Sequence, residues 1–109
     1  MGQCFVNNYI RLTKKLEDHN ISHKNLEIRY RADDICFLGE FKFKHDGHEF
    51  IAIIERFNHH NHKYQVNLAD NEVKSQMPTN RRHMVTSSAM TYFYNIYGKI
   101  CRELLKEEI

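Results

Sequence analysis

Asp46-Gly47 stands between two runs of alternating apolar and polar residues, and this short stretch fixes more of the fold than any other. Asp-Gly is a preferred pair for the two-residue type I′ turn, whose twist matches that of the strands it joins. A two-residue loop leaves one register. His45 then faces His48, and Phe43, Phe41 and Gly39 face Phe50, Ala52 and Ile54 on one side of the ribbon, while Lys44 meets Glu49 on the other. The hairpin therefore has a core face and a polar face, and the core face must be covered.

The flanking sequence supplies the cover. From Gln3 to about His19, Phe5, Val6, Tyr9, Ile10, Leu12, Thr13 and Leu16 recur at helical spacing, with Lys14, Lys15, Glu17 and Asp18 on the other side. Residues 20–25 read as the polar exit of this helix, after which Leu26, Ile28 and Tyr30 alternate with Glu27, Arg29 and Arg31 as a first strand. Residues 58–62 read as a turn, and Tyr64, Val66 and Leu68 as a fourth strand. From Ala69 to about His83 the chain holds its only proline, Pro78, and shows no periodicity, which predicts a loop. Thr86-Ser87-Ser88 offer N-caps for a last helix carrying Ala89, Phe93, Ile96, Tyr97, Ile100, Leu104 and Leu105 on its inner stripe. Gly98 inside that helix predicts close approach of another element, such as the first helix. The expected architecture is one α+β domain over residues 1–109. It is a two-layer sandwich in which a four-stranded antiparallel sheet carries the N-terminal and C-terminal helices on one face, in the order α-β-β-β-β-α.

Composition excludes several classes. With 41% hydrophobic and 28% charged residues the chain is globular rather than disordered. A net charge of +2 from well-mixed basic and acidic side chains gives no global field for nucleic acid or a membrane. No apolar run approaches the roughly 18 residues of a membrane span, and no signal peptide is evident. The three cysteines, Cys4, Cys36 and Cys101, are odd in number and lack C-x-x-C spacing, which fits a reducing, cytoplasmic setting.

Histidine is the anomaly, with eight in 109 residues. Imidazole is a common zinc ligand, so clustering raises the prospect of a metal site. His45 and His48 lie at the turn, whereas His59, His60 and His62 lie at the far end of the hairpin, on the order of 30 Å away at about 3.3 Å per residue. One ion would not serve both groups. The far end offers the richer set: Cys36 falls opposite Phe57, with Asp34 just before it, so Cys36, His59, His60, His62 and Asp34 are candidate zinc ligands. The alternative is that the histidines form a solvated polar turn.

No nucleophile-and-base pair, close carboxylates or glycine-rich phosphate loop stands out, which argues against an enzyme. Three surfaces remain. Leu38, Ile51 and Ile53 fall on the polar sheet face, where the 69–85 loop would cover them or a partner would. In the last helix Tyr94 points away from the core stripe and Tyr92 lies at its margin, and aromatics of this kind are enriched at protein interfaces. Tyr92, Tyr94, Ile51 and Ile53 are thus candidate partner-binding residues, and a homodimer through the sheet face is left open. Arg81 and Arg82, just ahead of the last helix, suit phosphate contact and are the candidates for nucleic-acid binding.

The succession of helix, strands and helix, with Arg81-Arg82 near the last helix, resembles the double-stranded RNA-binding domains. The additional strand and the missing glycine-containing loop depart from that pattern. In size, composition and absence of a catalytic motif the chain also resembles the small phage-encoded anti-CRISPR proteins that inhibit type II RNA-guided nucleases. That resemblance implies a non-enzymatic inhibitor that docks on a host defence protein in the host cytoplasm, and it transfers no residue roles.

Overall fold

The structure is a computed structural model that describes the backbone of residues 2–56 and 63–107, with side chains described for 7–30, 32–55 and 63–106. The hairpin takes the register its turn dictates. β2 (Asp34–His45) and β3 (His48–Arg56) pair through His45–His48, Lys44–Glu49, Phe43–Phe50, Phe41–Ala52 and Gly39–Ile54. Asp46 and Gly47, at φ 50° and 80°, both hold the positive φ that a type I′ turn requires. β1 (Ser22–Arg31) flanks β2 and β4 (Lys63–Leu68) flanks β3, so the antiparallel sheet has the order β1-β2-β3-β4. Val66 faces Ala52 and Tyr64 faces Ile54, which extends the core face across the fourth strand as expected.

β1 begins earlier than its apolar alternation suggests. Residues 22–24, read as polar exit, already pair with β2, Ser22 with Lys42 and Lys24 with Glu40. The cause is the tight ending of α1 (Gly2–Asp18). Asn20 takes φ 57°, its N–H donates to the Glu17 carbonyl at 2.9 Å, and the Ile21 N–H reaches back to the Leu16 carbonyl at 2.9 Å. This is a Schellman cap with buried Ile21 as its apolar contact, and it reverses the chain so abruptly that the strand follows at once. A bulge between Lys24 and Glu27, with Asn25 at φ 58°, then bends β1.

The expected loop after β4 is helical. α2 (Asn71–Gln76) is started by Asp70, whose carboxylate accepts the Glu72 and Val73 N–H groups at 2.9 and 3.4 Å. α3 (Thr79–Glu107) follows directly after Pro78, a residue suited to a helix start. Thr86, Ser87 and Ser88 therefore lie inside α3 and do not cap it. The early turns of α3 are exposed at most positions, so they carry too sparse an apolar stripe to register as periodicity.

Both long helices lie on the core face. Phe93 of α3 packs on Phe43 and Phe41 with ring centres 5.2 and 5.6 Å apart. Asn8 of α1 is fully buried, donates to the Tyr30 hydroxyl at 2.7 Å and accepts from Arg11 at 2.7 Å. Arg11 in turn donates to the Leu104 carbonyl at 3.1 Å, and Lys15 pairs with Glu103 at 3.1 Å, so polar contacts pin α1 to both the sheet and the end of α3. Among the described residues, no other element comes within 4 Å of the place a Cβ on Gly98 would occupy; the neighbour there is the Arg102 guanidinium of the same helix, at 3.2 Å.

One side chain completes the sheet. The two-residue turn makes His45–His48 a hydrogen-bonded pair, and bonded pairs alternate with open ones along the hairpin. On that count the Phe37 N–H and carbonyl point toward β3, beyond the last β2–β3 pair, Gly39–Ile54. The Tyr97 hydroxyl stands there instead, accepting from the Phe37 N–H at 3.2 Å and donating to its carbonyl at 3.3 Å. Tyr97→Phe removes both bonds and is expected to lower unfolding free energy by about 1–3 kcal/mol, the cost of orphaned buried groups. Urea melts of the two chains check this; an unchanged midpoint would mean that water replaces the hydroxyl without loss.

Candidate docking surface

The face of the sheet opposite α1 and α3 carries no helix among the described residues. Strand alternation places Cys36, Leu38, Glu40, Lys42 and Lys44 of β2 on it, beside Glu49, Ile51, Ile53 and Glu55 of β3 and Lys63, Gln65 and Asn67 of β4. The segment expected to cover this face does not reach it: α2 packs on β4, and Met77 joins the core on the other side. Ile51 and Ile53 are half-buried, while Leu38 is buried to 5% exposure. Around them the charges alternate in sign. Lys63 meets Glu55 at 3.4 Å and Arg29 meets Glu27 at 3.2 Å, both pairs largely exposed and of little energetic weight.

The four candidate partner-binding residues do not form one patch. Ile51 and Ile53 lie on the helix-free face, whereas Tyr92 and Tyr94 belong to α3 on the far side of the sheet. Tyr92 is not a free surface ring: it stacks on His45 at 4.6 Å and on Phe43 at 5.9 Å. Tyr94 is 45% exposed and meets Tyr64 edge-on at 5.4 Å. The Tyr64 hydroxyl is buried, and burial, with the neighbouring Tyr94, raises its pKa.

At the turn the structure joins residues that the sequence keeps apart. His45 Nε2 lies 2.8 Å from the Ser88 hydroxyl of α3 and 3.3 Å from the Asp46 carboxylate. This is a Ser-His-Asp grouping in composition only. A catalytic triad orients its imidazole through one ring nitrogen and uses the other as base, whereas here serine and aspartate share Nε2. The contact ties the hairpin tip to α3. Beside it, a cleft of about 460 Å³ is lined by His19, Asn20, Ser22, Lys42, Phe43, Lys44, Glu49 and Tyr92.

At the opposite end, Cys36 is half-buried and Asp34 is exposed, its carboxylate accepting the Ile35 N–H at 2.9 Å. His59, His60 and His62, with Phe57, lie outside the described residues. Among the described residues no group of three or more His, Cys, Asp or Glu side chains is placed to hold a metal. Cys101 of α3, absent from the expected ligand set, lies close enough to Cys36 for the two thiols to influence one another. Burial pushes its thiol up to about 12, which keeps it protonated at neutral pH and makes it a poor metal ligand or nucleophile.

Arg81 is exposed in the first turn of α3, which carries no acidic residue there. Arg82 is half-buried and donates to the Met77 carbonyl at 3.2 Å, closing the link between α2 and α3. Of the two arginines expected to meet phosphate, one is therefore engaged in structure. No helix among the described residues is long and apolar enough to cross a membrane. Comparison with known protein families, curated proteins and solved structures returned no match.

Proposed function

We propose that the chain is a non-enzymatic docking protein that seats its helix-free sheet face on a protein partner. The observation that carries this reading is the pair Ile51 and Ile53, half-buried at the centre of a face with no covering layer among the described residues. Two β-branched side chains ringed by charges of both signs suit an interface with an apolar centre and a polar rim. The partner we propose is a type II RNA-guided nuclease, in keeping with the size and composition the chain shares with small phage-encoded inhibitors. A zinc held by Cys36 with Asp34 and the 59–62 histidines is no part of this docking reading.

Titration of the chain into such a nuclease should abolish cleavage at about one chain per enzyme. Ile51→Lys with Ile53→Lys should weaken inhibition at least about tenfold, since two charged side chains at the centre of an interface lose its desolvated contacts. Because both positions border solvent in the isolated chain, the variant should melt close to the parent. Inhibition unaltered by the double substitution, or catalytic turnover of any substrate by the chain itself, would contradict the reading.

A further inference from the structure

The cleft at the hairpin tip adjoins a stretch of sheet edge that pairs with no strand among the described residues. β2 runs past the last β1 pair, Ser22–Lys42, through Phe43, Lys44 and His45. Which backbone groups are open there follows from the turn. The closing pair His45–His48 is bonded across the hairpin, so the next pair, Lys44–Glu49, directs its backbone groups outward on both strands. The outer side of Glu49 agrees with this phase, because its carbonyl accepts the Ala69 N–H at 2.9 Å on the β4 side. The N–H and carbonyl of Lys44 must then point to the β1 side, where β1 has not yet begun.

The side chains around this open rung have a consistent chemistry. Lys42 and Lys44 stand on the same face of β2, about 6–7 Å apart, the spacing of residues i and i+2 in any extended chain. His19, Asn20 and Ser22 line the same cleft, and Tyr92 and Phe43 give it apolar surface. Glu49 is the one carboxylate among the described lining residues, and it sits across from Lys44.

We propose that this cleft binds an extended acidic peptide segment, which continues the line of β1 along β2 beyond Ser22, pairs with the Lys44 backbone and brings its carboxylates within reach of the Lys42 and Lys44 ammonium groups. Addition of a strand to a sheet edge obtains affinity from the main chain and selectivity from alternate side chains. The site lies beside Ile51, which pairs with Lys42, so a partner seated on the sheet face would place such a segment here. The inference thus deepens the docking reading and rests on it for the identity of the partner as a protein.

The test uses the whole chain and a fluorescent, end-blocked hexapeptide with glutamates at alternate positions and valines between. Fluorescence anisotropy should show saturable binding that weakens as salt is raised. Three changes should each alter it. Lys42→Gln with Lys44→Gln should weaken binding about tenfold or more, Glu49→Gln should tighten it, and N-methylation of the central peptide amide should weaken it about tenfold with the protein unaltered. An N-methylated peptide that binds as well as its parent would reduce the interaction to charge adhesion and overturn the proposal, as would binding of the lysine counterpart of the peptide. Failure here with inhibition still sensitive to Ile51 and Ile53 would remove the cleft and keep the docking face. Peptide binding without nuclease inhibition would do the reverse.

Discussion

Phe93→Ala should lower the unfolding free energy by about 3–5 kcal/mol, the range for emptying a large aromatic site in a packed core. Phe93 is 1% exposed and its ring meets Phe41, Phe43 and Tyr64, so it bridges β2 and β4 from the helix above. Such a loss is a large share of the roughly 5–15 kcal/mol that a small domain possesses. The same truncation at Tyr94, which is 45% exposed and meets Tyr64 of β4 edge-on, should cost far less. Chemical denaturation of both variants measures the contrast, and near-equal losses would show that α3 is not anchored through Phe93.

Gly39→Ala should cost about 2–3 kcal/mol, although it adds a single methyl group. Gly39 holds φ 141°, a region that L-residues rarely enter, and a Cβ there would lie 2.9 Å from the Lys24 carbonyl oxygen and 3.1 Å from that of Asn25. Both obstacles are backbone atoms of the β1 bulge and do not rotate aside. Gly47 supplies the control. Its φ is 80°, but a Cβ there would meet nothing within 4 Å, so Gly47→Ala carries strain without collision and should cost about 1 kcal/mol. Equal effects at the two sites would mean that the bulge moves to accept the methyl group and that Gly39 is needed only for its dihedral angle.

These two positions also show what the sequence discloses and what it withholds. The hairpin was legible because its determinants are local: Asp46-Gly47 selects the turn, the turn selects the register, and each cross-strand pair follows by counting. Phe93 and Tyr97 were legible as core because their spacing repeats with the helix. The bulge opposite Gly39 was not, since it depends on how α1 ends and where β1 begins, which Asn20 and Ile21 decide through backbone bonds to Glu17 and Leu16. Residues 79–88 gave no helical signal because most of them face solvent, and a helix exposed on most sides has no stripe to read. The helix starts rest on Asp70 for α2 and Pro78 for α3, short-range features easily assigned to a loop.

The candidate surfaces divide in the same way. Alternation alone put Leu38, Ile51 and Ile53 on the face away from the core, but only the placement of α2 and α3 shows that the following segment leaves that face bare. Tyr92 looked like a surface aromatic because its partner, His45, is 47 positions earlier in the chain and meets it only after the sheet and helix have docked. The open rung at Lys44 likewise needs the register of two strand pairs at once. No motif encodes it.

The docking face is tested most directly by isoleucine methyl NMR on the chain with and without the nuclease. Ile51 and Ile53 should shift or broaden on addition of one equivalent, while Ile54 and Ile100 in the core, and Ile10, 59% exposed on α1, should keep their positions. A spectrum in which Ile10 moves and Ile51 and Ile53 do not, or in which no methyl responds, would contradict the assignment of the helix-free sheet face as the surface that binds.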